Sequence, residues 1–345
     1  MKKIAVTALE SLFEALSADR ALYLPIEKAD QVGFYRWSKG DKVRLDALQT
    51  VKSAKDLFFP QSECFAKFDV SKSGISVSEV APLDEKFVIF GVRGCDARSF
   101  ELLDKVFLAD PVDVMYQTRR NNGTVVTLAC NEPEETCFCM NFGIDAAAPG
   151  GDVRAVLSGE TVTLEALTEK GEKLLKDLEK VLTEASAADV KAAEKTQKGI
   201  RDIIKKLPFN GLPLDKIASQ NELEAFQWWK WGELSQGCLG CGTCTFVCPT
   251  CQCYDIRDFD TGHGINRFRC WDSCMFWEFT QAAGHNPRLT QMERFRQRFM
   301  HKLVYFPKNN GGDFSCVGCG RCVKKCPSAL NIVKVIKELG GSDDE

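Results

Sequence analysis

The chain has 345 residues and a net charge of −3, from 45 basic and 48 acidic side chains. This length predicts about two domains, and the balanced charge argues against a general nucleic-acid-binding surface. No run of about 18 apolar residues is present, so we expect no membrane span. In a chain of this size, 17 cysteines indicate metal binding rather than a secreted disulfide scaffold. We therefore expect a cytoplasmic protein.

The N-terminal half of the sequence has the alternating pattern of an α/β domain. Residues 4–16 are predicted as a short helix, because their apolar side chains recur at helical spacing. Residues 84–92 give a strong signal for a buried strand, residues 96–108 for a helix, and residues 124–129 for a second strand. A strand, a helix and a strand in this succession predict a parallel βαβ unit.

A domain boundary is expected after the middle of the chain. Residues 163–206 are rich in Lys, Glu, Leu and Ala, which predicts one or two amphipathic surface helices. The segment 207–213 contains prolines and a glycine and interrupts this pattern. We therefore predict an α/β domain over residues 1–207 and a second domain over residues 208–345, with a closing helix at 332–339.

Two matching cysteine runs dominate the second domain. They are Cys238-x2-Cys241-x2-Cys244-x3-Cys248-Pro249 and Cys316-x2-Cys319-x2-Cys322-x3-Cys326-Pro327. This spacing is the bacterial ferredoxin signature for two [4Fe–4S] clusters, in which the fourth cysteine of each run binds the other cluster. The sequence therefore predicts an electron-transfer protein of fold class α+β, whose C-terminal domain is mainly helical and ferredoxin-like.

The crossed pattern assigns four thiolates to each of the two clusters. The expected ligands are Cys238, Cys241, Cys244 and Cys326 for the first, and Cys316, Cys319, Cys322 and Cys248 for the second. Residues 249–315 form a large insertion between the runs. Zinc sites usually have two separated cysteine pairs, so the spacing disfavours a zinc-stapled interaction module.

A third [4Fe–4S] cluster is expected in the first domain. Cys95 and Cys130 each follow a predicted strand, and parallel neighbours would bring both thiols to the same sheet edge. Cys137 and Cys139 follow in the next loop and can fold back to that edge. The alternative is that some of these four are inert buried thiols.

A further group consists of Cys251, Cys253, Cys270 and Cys274. Cys270 and Cys274 would share one face of a helix at i, i+4. A fourth cluster is one interpretation of this group, and packing of small apolar thiols around the two-cluster core is the alternative. The neighbouring basic stretch from Arg288 to Lys302 is predicted as a solvated helix face that could dock an acidic partner.

Several motifs together resemble a known family of 4Fe–4S dicluster subunits. They are Gly91–Arg98, Thr136–Cys139, Cys248–Asp255, Trp271–Cys274, Ala283–Arg288 and Cys316–Cys322. The resemblance covers about residues 85–340. It is to the dicluster subunit of anaerobic sulfite reductase, to the cytoplasmic sulfhydrogenase beta subunit, and to the iron–sulfur subunit of flavin oxidoreductase–heterodisulfide reductase complexes. The third-cluster cysteines all lie in these motifs, whereas Cys270 fits the pattern less well.

The resemblance implies an electron relay in a soluble anaerobic complex. One partner would be a flavin- and NAD(P)H-binding oxidoreductase subunit, and the other a hydrogenase, sulfite reductase or heterodisulfide reductase subunit. No dinucleotide-binding fingerprint or P-loop is present, so we expect neither flavin nor NAD(P) in this chain. The alternative is a catalytic subunit that reduces a sulfur compound at a cluster with an open coordination site.

Overall fold

The computed structural model describes residues 1–72 and 74–341. Its strands are β1 (Lys2–Ala5), β2 (Ala21–Lys28), β3 (Gln31–Arg36), β4 (Ser62–Ser71), β5 (Gly74–Glu79), β6 (Phe87–Val92), β7 (Gly123–Leu128), β8 (Val153–Ser158), β9 (Thr161–Ala166), β10 (Thr183–Glu184), β11 (Tyr254–Asp260) and β12 (Gly264–Trp271). These strands form one eight-stranded and one four-stranded sheet.

The α-helices lie mostly between the strands in the first half and follow one another in the second. They are α1 (Leu9–Leu16), α2 (Gly94–Phe107), α3 (Val114–Asn122), α4 (Glu169–Asp177), α5 (Ala187–Ile204), α6 (Leu214–Ala218), α7 (Glu222–Gln227), α8 (Trp231–Ser235), α9 (Thr243–Phe246), α10 (Gln291–Met300), α11 (Phe306–Asn309), α12 (Arg321–Lys325) and α13 (Ile332–Leu339). A π-helical turn at His301–Tyr305 joins α10 to α11. No helix of the described residues has the length and apolar character needed to cross a membrane.

The larger sheet has the order β10-β1-β9-β8-β7-β6-β2-β3. Its centre is parallel, because β6 pairs in parallel with both β2 and β7, and β7 pairs in parallel with β8. The predicted βαβ unit is therefore confirmed, with α2 and α3 between β6 and β7. Parallel strands need helices on both faces, and β6 is accordingly buried along its whole length.

Alternating side chains of β6 belong to two different cores. Val88 and Phe90 pack in a core on one side of the sheet, together with residues of α1 and α4. Phe87 and Ile89 pack on the other side with aromatic residues that include Phe100 of α2. This alternation is the two-residue repeat of a strand covered on both faces.

The smaller sheet is antiparallel, in the order β11-β12-β4-β5. It combines β4 and β5 of the first half with a hairpin from the large insertion between the cysteine runs. A buried ion pair joins the two halves, since Arg269 Nη2 lies 2.7 Å from Glu63 Oε2. The predicted boundary between residues 207 and 208 stays a prediction, and this sheet brings strands from its two sides together.

Two of the predicted elements differ in the structure. The predicted helix at 4–16 begins only at Leu9, because Lys2–Ala5 pairs with β9 and becomes a sheet strand instead. The leucine-rich stretch from residue 163 starts inside β9, so Leu164 is a core residue of the sheet rather than of a helix. Its remainder forms α4 and α5, which confirms two amphipathic helices there.

Candidate metal centres

The first candidate centre, the Cys238 site, is a cavity formed mainly by the first cysteine run. Its wall contains Cys238, Cys241, Cys244 and Cys326. The loop closes because Gly240 and Gly242 have φ of 66° and 70°, a left-handed region that suits glycine. Gln291 Nε2 donates a hydrogen bond to Cys238 Sγ over 3.2 Å. Cys241 is exposed, so this site reaches the protein surface.

The second candidate centre, the Cys316 site, differs from the first in that none of its cysteines is exposed. Its wall contains Cys248, Cys316, Cys319 and Cys322. The side chains of Arg298 and Lys302 also line it, and both are buried. Lys302 lies in the π-helical turn, which interrupts the regular α-helical spacing of side chains between α10 and α11.

The fourth cysteine of each run lies at the site of the other run. Cys248 lines the Cys316 site, and Cys326 lines the Cys238 site. This is the arrangement that the ferredoxin spacing predicts. Cys322 and Arg298 contribute to both cavities, so the two sites share a wall. Binding of iron by these eight thiols stays a prediction.

The third candidate centre, the Cys95 site, forms at the carboxyl ends of two parallel strands. Cys95 lies in the first turn of α2, just after β6, and Cys130 follows β7. A loop then returns Cys137 and Cys139 to the same place, and all four thiols line one cavity. The structure therefore brings together the four cysteines that the sequence analysis grouped, and their binding of a cluster stays a prediction.

The Cys95 site is in direct contact with the Cys316 site. The backbone N–H of Phe138 donates to the Gly318 carbonyl over 2.9 Å. Gln49 Nε2 donates to the Cys319 carbonyl over 2.7 Å and lies 3.9 Å from Cys137 Sγ. Cys319 lines both cavities. The three sites therefore adjoin in one row, with the Cys316 site in the middle.

A buried ion pair lies at this junction. Arg321 Nη2 donates to Asp96 Oδ2 over 2.7 Å, and its Nε donates to the Thr50 carbonyl over 3.1 Å. Asp96 is next to Cys95 in the chain, and Arg321 lies between Cys319 and Cys322 of the other loop. Because removing one partner would leave a buried charge unpaired, this pair holds the two loops in register.

Four further cations are buried beside the cysteines. They are Lys55, Arg93, Arg298 and Lys302, each at most 7% exposed. Within residues 1–72 and 74–341 none of the four has a carboxylate within ion-pair distance. Their hydrogen bonds go instead to backbone carbonyls, a threonine hydroxyl or a cysteine sulfur.

Such an arrangement is costly unless negative charge is present nearby, because a buried ion needs a compensating partner. The cysteines are the nearest candidates for that charge. Arg298 is close to Cys244 and Cys322, and the negative charge of these thiolates would raise its pKa. Thiolates around an iron–sulfur core carry net negative charge, so the donor set and the buried cations fit the group.

Burial keeps most of these thiols protonated when no metal is bound. Burial raises the pKa of Cys130, Cys139 and Cys319 to about 12 each and that of Cys316 to about 11. Cys241 and Cys248 differ, since Thr243 lowers the pKa of the first and Cys251 lowers that of the second. Metal ligands bind as thiolates, so metal binding at the buried positions is coupled to release of protons.

The structure divides the fourth group of cysteines. Cys251 and Cys248 are close neighbours, as are Cys253 and Cys274, since each thiol shifts the pKa of its neighbour. Cys270 lies apart in β12, where it faces Asp255 and Ser62 on the neighbouring strands. Among the described residues, no group of three or more His, Cys, Asp or Glu side chains is arranged to hold a single metal ion.

The prediction that Cys270 and Cys274 share a helix face is wrong. Cys270 belongs to a strand, and Cys274 lies in the turn that follows. Side chains alternate along a strand, so Cys270 points away from the face that buries Arg269 and Trp271. Hydrogen bonding to β4 and β11 outweighs the local helical spacing here.

Sequence reasoning missed the buried cations. The pattern of the basic stretch from Arg288 to Lys302 predicts a solvated face, but Arg298 and Lys302 are buried at the Cys316 site. Lys55 and Gln49 lie far from any cysteine motif in the chain, and nothing local marks them. The one available signal was the spacing of Arg298 and Lys302, which places both on one side of a helix.

Comparison with known proteins agrees with this geometry. Residues 237–330 match the family model described as a 4Fe-4S dicluster domain. The class of the protein is therefore an iron–sulfur protein with two [4Fe–4S] clusters in its C-terminal part. No solved structure matches the chain.

A curated relative extends the match to nearly the whole chain. The sulfhydrogenase 2 subunit beta of Pyrococcus furiosus is 33% identical over 331 residues, which covers 95% of this chain and 94% of the relative. The chain belongs to this family of sulfhydrogenase beta subunits, which confirms the resemblance found in the sequence. The α+β fold class is confirmed as well.

Proposed function

We propose that this protein is the electron-relay subunit of a multi-subunit oxidoreductase complex. Electrons would enter from a partner that oxidises NAD(P)H through a flavin and leave to a hydrogenase or a reductase of sulfur compounds. The membership of a sulfhydrogenase beta-subunit family supports this role. The observation that carries it is the row of three adjoining cavities, each lined by at least four cysteines.

Each cavity supplies the complete ligand set of one [4Fe–4S] cluster. We assign Cys238, Cys241, Cys244 and Cys326 to the first, Cys316, Cys319, Cys322 and Cys248 to the second, and Cys95, Cys130, Cys137 and Cys139 to the third. The bound clusters supply one-electron redox chemistry. The chain itself sets their spacing, excludes water from the buried sites and places cations beside them.

The two ends of the row differ in exposure. The Cys238 site reaches the surface through Cys241, and Leu239 of the same loop is 71% exposed. This apolar, exposed loop suits docking of one partner. The Cys95 site lies at the opposite end, in the first half of the chain. A complete set of four thiols at each site favours a relay over catalysis at an open coordination site.

Metal analysis tests the ligand assignment. The protein is purified without oxygen, and iron and acid-labile sulfide are measured per chain. About twelve of each would support three clusters, whereas about eight would overturn the assignment of the Cys95 site. Zinc without sulfide would overturn the whole proposal.

A reduction experiment tests the relay itself. Dithionite should bleach the visible absorbance of all clusters, and a reduced flavoprotein partner should do the same. Replacing exposed Leu239 with Glu should slow reduction by the partner and leave reduction by dithionite unchanged. Equal rates for wild type and L239E with the partner would contradict docking at the Cys238 site.

A further inference from the structure

Two half-buried cysteines outside the three cavities form a close pair, the Cys253 pair, which consists of Cys253 and Cys274. The antiparallel pairing of Tyr254 with Trp271 brings their segments together, and the Asp272 N–H donates to the Cys253 carbonyl over 3.0 Å. The side chain and backbone of Cys274 lower the pKa of Cys253, and Cys253 raises that of Cys274, so the two thiols are close neighbours.

The Cys253 pair lies next to the Cys316 site. Cys251 lies between the pair and that site, because it is close to Cys248 on one side and to Cys274 on the other. Arg298 Nη1 lies 3.7 Å from Cys251 Sγ, and Lys55 Nζ donates to the Cys251 carbonyl over 2.7 Å.

The surroundings of Cys253 are those of a reactive thiol rather than of a packing group. A thiol in an apolar core has a raised pKa and is inert, whereas cations and hydrogen-bond donors favour the thiolate. Contact with the Cys274 side chain lowers the pKa of Cys253 to about 7. Burial opposes this shift, and the Cys274 backbone and the charges of Lys302 and Lys55 add to it. Cys270 has none of these neighbours and is a suitable control.

We propose that Cys253 and Cys274 form a redox-active dithiol that stores two electrons beside the relay. In the oxidised form one S–S bond joins the two sulfurs. Reduction breaks that bond, adds two electrons and two protons, and leaves two thiols, of which Cys253 can lose its proton to solvent. The electrons come one at a time from a one-electron donor of the iron–sulfur class, so this inference rests on the proposed function.

The role of such a pair would be to match one-electron and two-electron steps. A flavin or hydride donor delivers two electrons, and an iron–sulfur centre accepts one at a time. A dithiol that holds two electrons next to the middle of the row can retain both until the acceptor is ready. The position beside the Cys316 site, rather than at either end, agrees with this role.

Redox poising of the complete protein tests this proposal. The holoprotein is equilibrated without oxygen in buffers with different ratios of reduced and oxidised dithiothreitol. Free thiols are then alkylated, and peptides are analysed by mass spectrometry. We expect a peptide cross-linked between Cys253 and Cys274 that appears and disappears with a two-electron dependence on potential. Absence of this cross-link at every potential would overturn the proposal.

Variants separate a dithiol from a metal site. C253S and C274S should keep the iron and sulfide of the wild type, and each should accept two electrons fewer per chain in a reductive titration. C270S should match the wild type in iron content, in sulfide content and in the number of electrons accepted per chain. Loss of iron, sulfide or zinc from C253S or C274S would overturn the dithiol in favour of metal ligation.

The dithiol and the relay can fail independently of each other. A cross-link in protein that contains no iron–sulfur clusters would leave the dithiol standing and remove the relay. Full cluster content without a cross-link would leave the relay standing and overturn the dithiol.

Discussion

The Cys238 site and the Cys95 site reach the same number of thiols by different routes. Three of the four cysteines at the Cys238 site come from one loop of seven residues, 238–244, closed by two glycines with positive φ. The Cys95 site collects its cysteines from the ends of β6 and β7 and from a later loop. One site is built by local chain geometry, and the other by the assembly of a parallel sheet.

This difference has consequences for stability. Cysteines of the Cys238 and Cys316 sites pack together in one apolar core with α8, α10 and α13. Three of the four cysteines of the Cys95 site instead pack in a separate core with Ala146 of the loop, Val156 of β8 and residues of α5. We therefore expect damage at the Cys238 site to spread to its neighbour, and damage at the Cys95 site to remain local.

The largest expected effect comes from removing one ligand at each site. Cys139→Ala should lose about four iron and four sulfide per chain, because only the Cys95 site is incomplete. Cys244→Ala should lose closer to eight of each. Cys244 packs in the same apolar core as Cys322, and Cys322 and Arg298 line both cavities, so loss of the first cluster should disturb the second. Metal and sulfide analysis of the two purified variants measures this difference.

Cys64→Ala is the control for both variants, because Cys64 lies in β4 and lines none of the three cavities. It should retain the full metal content. Equal losses from Cys139→Ala and Cys244→Ala would show that the Cys95 site and the Cys238 site are equally independent of the Cys316 site.

A smaller effect is expected at the glycines of the cysteine loops. A Cβ at Gly318 would lie 2.5 Å from the backbone of Phe138 in the Cys95 site, whereas one at Gly240 would meet only the side-chain oxygen of Gln291 at 2.7 Å. Both positions have positive φ, so each alanine variant pays about 1 kcal/mol for backbone strain. Gly318→Ala should cost about 2–3 kcal/mol more, because backbone cannot move aside as a side chain can.

The apparent melting temperature under anaerobic conditions measures this pair of variants. Gly318→Ala should melt several degrees below Gly240→Ala. A lower melting temperature for Gly240→Ala would contradict the close packing between the Cys316 and Cys95 sites.

The smallest effect concerns reduction potentials. Arg93 lies beside Cys95 and Cys130, and Arg298 lies beside Cys244 and Cys322. A nearby positive charge favours the reduced, more negative cluster, so Arg93→Gln should lower only the potential of the Cys95 site. Arg298→Gln should lower those of the other two sites, each by on the order of 60 mV.

Redox titrations followed by electron paramagnetic resonance separate these potentials. Arg298→Lys keeps the charge and should stay close to the wild type. If Arg298→Gln moved the potential of the Cys95 site as much as the others, the three sites would not be electrostatically distinct.

Much of the fold and of the candidate site could be predicted from the sequence, because the signals were local. The ferredoxin spacing, the buried strand at Phe87–Val92 and the helix at Ile332–Leu339 each depend on residues close in the chain. The grouping of Cys95 with Cys130 also succeeded, since the positions of two strand ends are sufficient to bring them together once the strands are parallel.

The predictions that failed share one physical cause, which is contact with segments that are distant in the chain. The first residues became β1 and Cys270 became part of β12 because distant strands offered hydrogen-bonding partners, and these outweigh local helical spacing. The basic stretch ending at Lys302 was assigned to the surface because long charged side chains are rarely buried without partners. Here the cysteines of other segments are the expected partners.

The sequence by itself determined the class of protein, the two ferredoxin-type cysteine sets and the strand–helix–strand unit, since each is set by spacing over a few residues. Only the tertiary structure decided which segments meet. It placed Gln49 and Arg321 at the junction of two sites, brought Lys55 and Lys302 beside the cysteines, and paired Cys253 with Cys274 while leaving Cys270 apart. These contacts join residues far apart in the chain, so their energies depend on packing that no local pattern encodes.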